Sequence, residues 1–509
     1  RMRYWGYTAM KYVSTRGNAA PVSGAEAIIA GIAPDGGLYL PESWPQFALV
    51  EQEGLCHQNY ARLAKEILVR FFPEWPDEAL EQAVAAAYDP KRWSSPEIVP
   101  LRSLDTGLHV MELWHGPTSA FKDLALQLLP HLLVNSLRVV GDKRDVVILV
   151  ATSGDTGKAA LEGFRDVPGT RIMVFYPENG VSAIQRLQMV TQEGNNTRVV
   201  AVQGNFDDAQ TGVKKIFTDP AWLRLLEEHN LTFSSANSIN WGRLVPQIVY
   251  NFSAYFALVR SGKLAMGEKV NFVVPTGNFG NILAAYLARG MGLPVHRLIC
   301  ASNRNKVLTD LFRTGVYDRR REFYTTNSPS MDILISSNLE RLLFLLSGKN
   351  PEMVRGWMAD LQEKGYYTLD ATTRERLTEV FWGGWADEES TLAAIRQAYQ
   401  EFGYVMDTHT AVGLKVYRDY LRESGDKHHT ILAATANPFK FNRAVATAVL
   451  PPEKLQTQDE FLLLRELAAA TGLSVPEGLR GLDSRPVRHN TVVAPDRMGA
   501  AVADWLGLK

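Results

Sequence analysis

Two patterns of apolar and polar positions alternate along this chain. Short β-rich runs such as VVILVA (146–151) and VNFVVP (270–275) lead into the glycine-bearing loops TSGDTG and TGNFGN, and then into segments of helical period, KAALEGF and ILAAYLARG. The order of strand, glycine loop and helix is how a parallel sheet with crossover helices reads in sequence. Further strands are predicted at HVMELW (109–114), RIMVFY (171–176), RVVAVQ (198–203), RLICAS (297–302) and TILAATA (430–436). The predicted fold class is therefore α/β, with parallel-type sheets flanked by helices. Residues 10–100 carry mostly helical patterns and read as a separate N-terminal unit, residues 330–400 as helices inserted between strands, and residues 452–509 as helices plus a proline-punctuated tail. No repeat of 20–50 residues is visible, which excludes a solenoid or propeller.

The segment LWHGPTSAFKDLALQLLP (113–130) breaks the usual placement of charge. Pro117 and Thr118 predict a helix start, and Pro130 its end. At helical period Lys122 falls on one stripe with Ala125, Leu126, Leu129 and Leu133, while Asp123 and Gln127 share the other, solvated side. A lysine on a buried stripe is costly, because removing an ammonium from water costs several kcal/mol and lowers its pKa. It must snorkel outward, pair with a carboxylate such as Asp123 or Glu112, or serve as a Schiff-base lysine whose charge is removed by a carbonyl partner.

Two loops bear on that choice. In PTGNFGN (275–281), Gly277 and Gly280 let backbone amides approach an anion, and the helix that follows adds its positive end, so the loop suits a phosphate. Its spacing is not that of a dinucleotide fingerprint. In ATSGDTGKAA (151–160), the earlier glycine of a nucleotide-binding Walker loop falls on Thr152 and Ala159 replaces the magnesium-binding hydroxyl, which disfavours ATP. A loop of hydroxyls and amides at a helix start remains, suited to a carboxylate or phosphate.

Charge and composition narrow the partners. With 54 basic against 55 acidic residues the formal charge is -1, which argues against nucleic acid or anionic membrane as a partner, so an anion must be held locally. The apolar runs are far shorter than the ~20 residues that span a bilayer. Cys56 and Cys300 lack metal-ligand spacing and are expected as two buried thiols in a reducing compartment. A cytoplasmic location is expected, with Met10 read as the initiator and residues 1–9 left aside. His115, His409 and the tryptophans, including WGGW at 382–385, are expected to be packing residues.

HGPTSAFKDLALQ resembles the cofactor-lysine segment of threonine synthases, pyridoxal-phosphate enzymes of fold type II, the tryptophan-synthase-β fold. The resemblance continues in order through STRG (14–17), APDGGLYLPE (33–42), SGDTG, NSINWGR (237–243), PTGNFGN, SPSMDI (328–333), SSNLER (336–341) and DTHTAVG (407–413), from Met10 to about residue 445. It implies a large cofactor-binding domain from 101–140 and 231–451, a small α/β domain at 141–230, an N-terminal domain at 10–100, and C-terminal helices and tail at 452–509. It implies pyridoxal 5'-phosphate bound as an aldimine by Lys122, its phosphate held by Gly277, Asn278, Phe279, Gly280 and Asn281, and its ring nitrogen met by Thr435. A hydroxyl there leaves that nitrogen largely unprotonated. Ser153, Asp155 and Thr156 would face the substrate's carboxylate end or the cofactor, and Asn237, Ser238 and Arg243 would grip the leaving phosphate. There is no metal in this scheme.

The implied reaction converts O-phospho-L-homoserine and water to L-threonine and phosphate by γ-elimination and β-addition of water, the last step of threonine biosynthesis, in a monomer or homodimer. The sequence departs from the family pattern at Asn437 and Phe439, where His and Ala are usual, and at Gly242, where Ala is usual. The same lysine and loop would also serve a phospho-lyase or dehydratase releasing 2-oxobutanoate, and a catalytically silent ligand-binding relative stands as the reading from another class.

Overall fold

A computed structural model describes residues 9–152 and 154–508. In chain order the first strands are β1 (Lys11–Ser14), β2 (Val22–Ser23), β3 (Tyr39–Pro41), β4 (Leu101–Ser103) and β5 (Leu108–Glu112). Then come β6 (Asp145–Ala151), β7 (Thr170–Pro177), β8 (Thr197–Val202), β9 (Leu231–Ser234), β10 (Val270–Pro275) and β11 (Val295–Ser302). The last are β12 (Val316–Asp318), β13 (Tyr366–Thr368), β14 (Phe381–Trp385), β15 (Thr430–Ala434) and β16 (Thr491–Val493).

Two sheets dominate. The large one has the order β14-β11-β10-β15-β5-β4 and is parallel except for the antiparallel edge strand β4. The smaller has the order β16-β8-β7-β6-β9 and is parallel throughout. All seven strands read from apolar runs lie in these sheets, and β5, β10 and β15 are buried along their whole length, as strands covered by helices on both faces must be. β9, β14 and β16 were not legible: β9 and β16 are short, and β14 is FWGGW, whose central glycines lack β propensity. Gly383 and Gly384 are required there, since a Cβ would lie 2.8 Å from Phe312 and 2.8 Å from Val416 respectively. The small sheet thus takes β9 and β16 from outside residues 141–230, and the tail after residue 452 supplies its edge strand.

The N-terminal segment adds a three-stranded sheet, β2-β1-β3, to its helices and is not a separate core. Tyr12 and Phe71 pack edge-on against the buried Trp241, with ring centroids 5.6 Å away in each case. Trp241 opens the 20-residue helix Trp241–Arg260, the central helix of the molecule.

The lysine segment differs from its prediction. Residues 119–121 are not helical, because Ser119 has φ 62° and the backbone from 119 to 121 pairs with the loop after β15: Phe121 N donates to Thr435 O at 2.8 Å and Asn437 N to Ser119 O at 2.9 Å. The helix runs only from Lys122 to Leu126, and Pro130 lies in the first turn of the next helix, Leu129–Val139, where its missing N–H costs nothing. Asp123 and Gln127 are fully buried rather than solvated. The helices Trp241–Arg260 and Asp155–Phe164 both pack against the lysine helix, and Gly163 lies directly on the carbonyl of Leu126, an approach that a Cβ would prevent.

Candidate active site

The cleft is built at the carboxyl ends of the large sheet's parallel strands, where open α/β sheets bind ligands. β5 leads to the lysine segment, β10 to the glycine turn, and β15 to Thr435, which is buried and whose carbonyl fixes the residue before Lys122. Lys122 is partly buried at the start of its helix. Among the described residues, nothing lies within ion-pair or hydrogen-bond distance of its Nζ; neither Asp123 nor Glu112 is a partner. Loss of hydration, reinforced by the charges of Arg243 and Lys440 and opposed by Asp155, lowers its pKa from 10.5 to about 8. The side chain thus keeps an open side while its amine is destabilised as a cation.

Asp155 opens the ten-residue helix Asp155–Phe164 that follows β6. Burial opposes its ionisation, yet the charges of Lys440 and Lys122 and a hydrogen bond from Lys440 win and hold its pKa at about 2. Lys440 Nζ lies 2.9 Å from Asp155 Oδ1 and donates to Thr118 O at 3.0 Å, so one buried ammonium joins the helix after β6, the lysine segment and the loop after β15. Lys440 was passed over in the sequence, although TANPFKF places it three residues beyond Asn437. Asp123 accepts from Thr118 N at 2.8 Å and Thr118 Oγ1 at 2.6 Å, and burial raises its pKa to about 6 despite those bonds.

The turn at 277–281 has the expected form for an anion. Phe279 adopts the left-handed conformation, φ 73°, and Gly280 opens the 11-residue helix Gly280–Gly290. Gly277 has no room for a side chain, since a Cβ would lie 2.7 Å from Ser330 O. Ser336 Oγ donates to Gly277 O at 2.7 Å and Asn338 N to Asn278 O at 2.9 Å, so the SSNLER segment holds the turn from behind. Asn281 Oδ1 accepts from Tyr250 at 2.6 Å, which leaves its buried Nδ2 without a partner. An unpaired buried donor beside a helix N-terminus fits a phosphate group.

Arg243 likewise keeps an unpaired buried nitrogen. It is buried in the first turn of the central helix, its Nη1 donates to Ala236 O at 2.9 Å, and its Nε has no partner. Desolvation lowers its pKa to about 10. Ser238 lies 3.4 Å from Ser337 through their hydroxyls, and Asn237 is exposed at the rim. Thr156 is partly buried beside Asp155; Ser153 lies outside the described residues. A cavity of about 430 Å³ adjoins this rim, lined among others by Arg16, Ser336, Ser337 and Glu340, with Arg16 paired to Glu340 at 3.1 Å.

His115 and His409 are each tied to polar neighbours. His115 bonds Ser94 at 2.6 Å and Glu112 at 3.0 Å; His409 is buried, bonded to Asp407 at 2.7 Å, and accepts from Ser330 N at 3.1 Å. His409 nevertheless adds to the positive field on Asp155. Cys56 and Cys300 are buried free thiols, and among the described residues no helix is long and apolar enough to cross a membrane.

Three family models match the chain in succession: the threonine synthase N terminus over residues 11–88, pyridoxal-phosphate dependent enzymes over 95–354, and the threonine synthase C-terminal region over 410–500. Threonine synthase from Pseudomonas aeruginosa is 40% identical over 440 residues, 86% of this chain and 90% of that one. Human threonine synthase-like 1 is 40% identical over 450 residues, 86% of this chain, but the chain spans only 60% of its length. A crystal structure of PLP-bound threonine synthase from Brucella melitensis superposes with a TM-score of 0.86 at 36% identity, covering 98% of this chain and 99% of that one. The chain belongs to the threonine synthase family of pyridoxal-phosphate-dependent, fold type II enzymes.

Proposed function

We propose that this protein is a threonine synthase, converting O-phospho-L-homoserine and water to L-threonine and phosphate. The observation that carries the reading is Arg243, a buried guanidinium with an unpartnered Nε within electrostatic reach of Lys122. Such a group requires an anion that arrives with the ligand, and a substrate phosphate can bind its planar fork in a bidentate manner. Asn237 and Ser238, one turn earlier, would complete the grip.

Lys122 would hold the cofactor's aldehyde, residues 277–281 its phosphate, and Thr435 its ring nitrogen. When bound, pyridoxal phosphate supplies an electron sink for the bond broken at Cα. A lysine with a pKa of about 8 can take the proton from Cα and return one within the same site, since neither protonation state is strongly preferred near neutral pH. Asp155, ionised and paired with Lys440, repels a carboxylate and suits the amine side of the substrate. The substrate carboxylate is then left to Ser153, Thr156 and the amides that open the helix Asp155–Phe164. Loss of a Cβ proton lets the phosphate leave Cγ in the grip of Arg243; a proton then enters at Cγ, the hydroxyl of water adds at Cβ, and Cα is reprotonated. The two buried thiols fit a reducing compartment such as the cytoplasm.

Product analysis tests this reading. Incubation with O-phospho-L-homoserine should yield threonine and phosphate in equal amounts. Release of 2-oxobutanoate alone would assign the site to a phospho-lyase and contradict the proposal.

A further inference from the structure

A cluster of metal-ligating side chains lies at the amino ends of the large sheet's strands, on the edge opposite the cleft. His296 is the second residue of β11, and Asp426 and His428 belong to the turn that enters β15. β10 runs between those strands, and Asn271 on it pairs in register with Thr430. The three side chains therefore meet above β10. His296 Nδ1 lies 3.2 Å and His428 Nδ1 2.6 Å from opposite oxygens of Asp426, and the possible ligand atoms of all three residues fall within 4.8 Å of one another. The two imidazoles stack with centroids 3.9 Å apart.

Surrounding groups orient the carboxylate. Asn271 Nδ2 donates to Asp426 Oδ2 at 2.9 Å, the Tyr420 hydroxyl donates to the same oxygen, and His428 N donates to Oδ1 at 2.8 Å. Asn271 Oδ1 lies 3.0 Å from His296 Nδ1, on the same ring nitrogen that faces Asp426. Outer partners of this kind hold first ligands in a binding geometry. We propose that His296, Asp426 and His428 form a binding site for a divalent transition metal of the zinc class, with solvent completing the coordination. Two imidazole nitrogens and one carboxylate oxygen are the donor set zinc takes, whereas calcium and magnesium require more oxygens. The 3.2 Å between His296 and Asp426 approaches the ~3.3 Å edge of a tetrahedron with metal–ligand bonds of about 2.0–2.1 Å, and the 2.6 Å between His428 and Asp426 would have to open to admit the ion. His296 and His428 are each more than one-third exposed along the side chain, which gives the ion an entry path. The site would clip β11 to the turn before β15 across the intervening strand, bracing the sheet without touching the cleft.

Zinc and cobalt titration of the untagged holoenzyme tests this. One equivalent of zinc should bind and raise Tm, and cobalt should show the visible absorption of a tetrahedral N/O site. His296→Ala and His428→Ala should each weaken zinc binding by roughly tenfold or more and remove the Tm rise, while threonine formation without added metal is unchanged. His429→Ala, in the neighbouring pair with His109, should bind as the parent does. His428→Gln serves if either alanine variant fails to fold. Absence of saturable binding, or equal affinity in the parent and the His296 and His428 variants, would overturn the proposal.

Discussion

Two desolvated lysines, the partly buried Lys122 in the cleft and the buried Lys158 beside the small sheet, show what separates a reactive cation from a structural one. Both have pKa values lowered first by desolvation. Lys158, one turn into the helix Asp155–Phe164, donates to Gln192 Oε1 at 2.6 Å and lies 3.2 Å from Glu162, so its charge is answered at hydrogen-bond distance. Lys122 has only the longer-range attraction of Asp155, and two cations oppose it. The arginines repeat the contrast. Arg341 is buried but bonded twice to Tyr39 O and once to Asn338, whereas Arg243 has one carbonyl and an unpartnered Nε. Burial alone is thus a weak mark of function; burial without a partner is the informative state.

The largest expected break in that contrast is Lys122→Ala, which should reduce turnover by roughly 10⁴-fold while leaving Tm of the cofactor-free protein nearly unchanged, as read by product formation and thermal unfolding. Arg243→Gln should lower kcat/KM for the phosphorylated substrate by about 100-fold, the cost of losing one side of a buried charged contact, in steady-state kinetics. Lys158→Met should act in the opposite sense to Lys122→Ala. It should cost roughly 2 kcal/mol of stability in denaturant unfolding, because Glu162 is left half-answered in a buried setting, with kcat within about twofold of the parent.

The smallest effect sharpens the electrostatics. In the cofactor-free protein, labelling of Lys122 by an amine-selective reagent, followed by peptide mass, should rise with pH through about 8, since only the neutral amine reacts and deprotonation occurs well below the usual lysine range. Asp155→Asn should shift that midpoint to lower pH, because the attraction that favours the ammonium is removed. A midpoint near 10.5 in the parent, or an upward shift in the variant, would contradict the assignment of charges.

Much of this was legible in the chain because the relevant physics is local. Apolar runs marked seven strands of the two main sheets, two of them leading into glycine turns, and the position of Lys122 among Ala125, Leu126 and Leu129 marked a desolvated amine. What escaped was set by distant segments. The helix start at Lys122 depends on pairing between residues 119–121 and 435–437, more than 300 positions apart, so Pro117 and Pro130 misled on the boundaries. Asp123 and Gln127 read as solvated because nothing local reveals that helices Asp155–Phe164 and Trp241–Arg260 close over them. Lys440 was missed for the same reason: its partner Asp155 lies 285 positions earlier, on the helix after β6. β16, a three-residue strand after a long tail, owes its place to β8 and not to its own sequence.

The attachment point of the cofactor tests the central claim most directly. Holoenzyme reduced with borohydride, digested and analysed by mass spectrometry should carry a pyridoxyl group on Lys122 alone, and Lys158 and Lys440 should be unlabelled. A label on either of those lysines, or no label at saturating cofactor, would contradict the account.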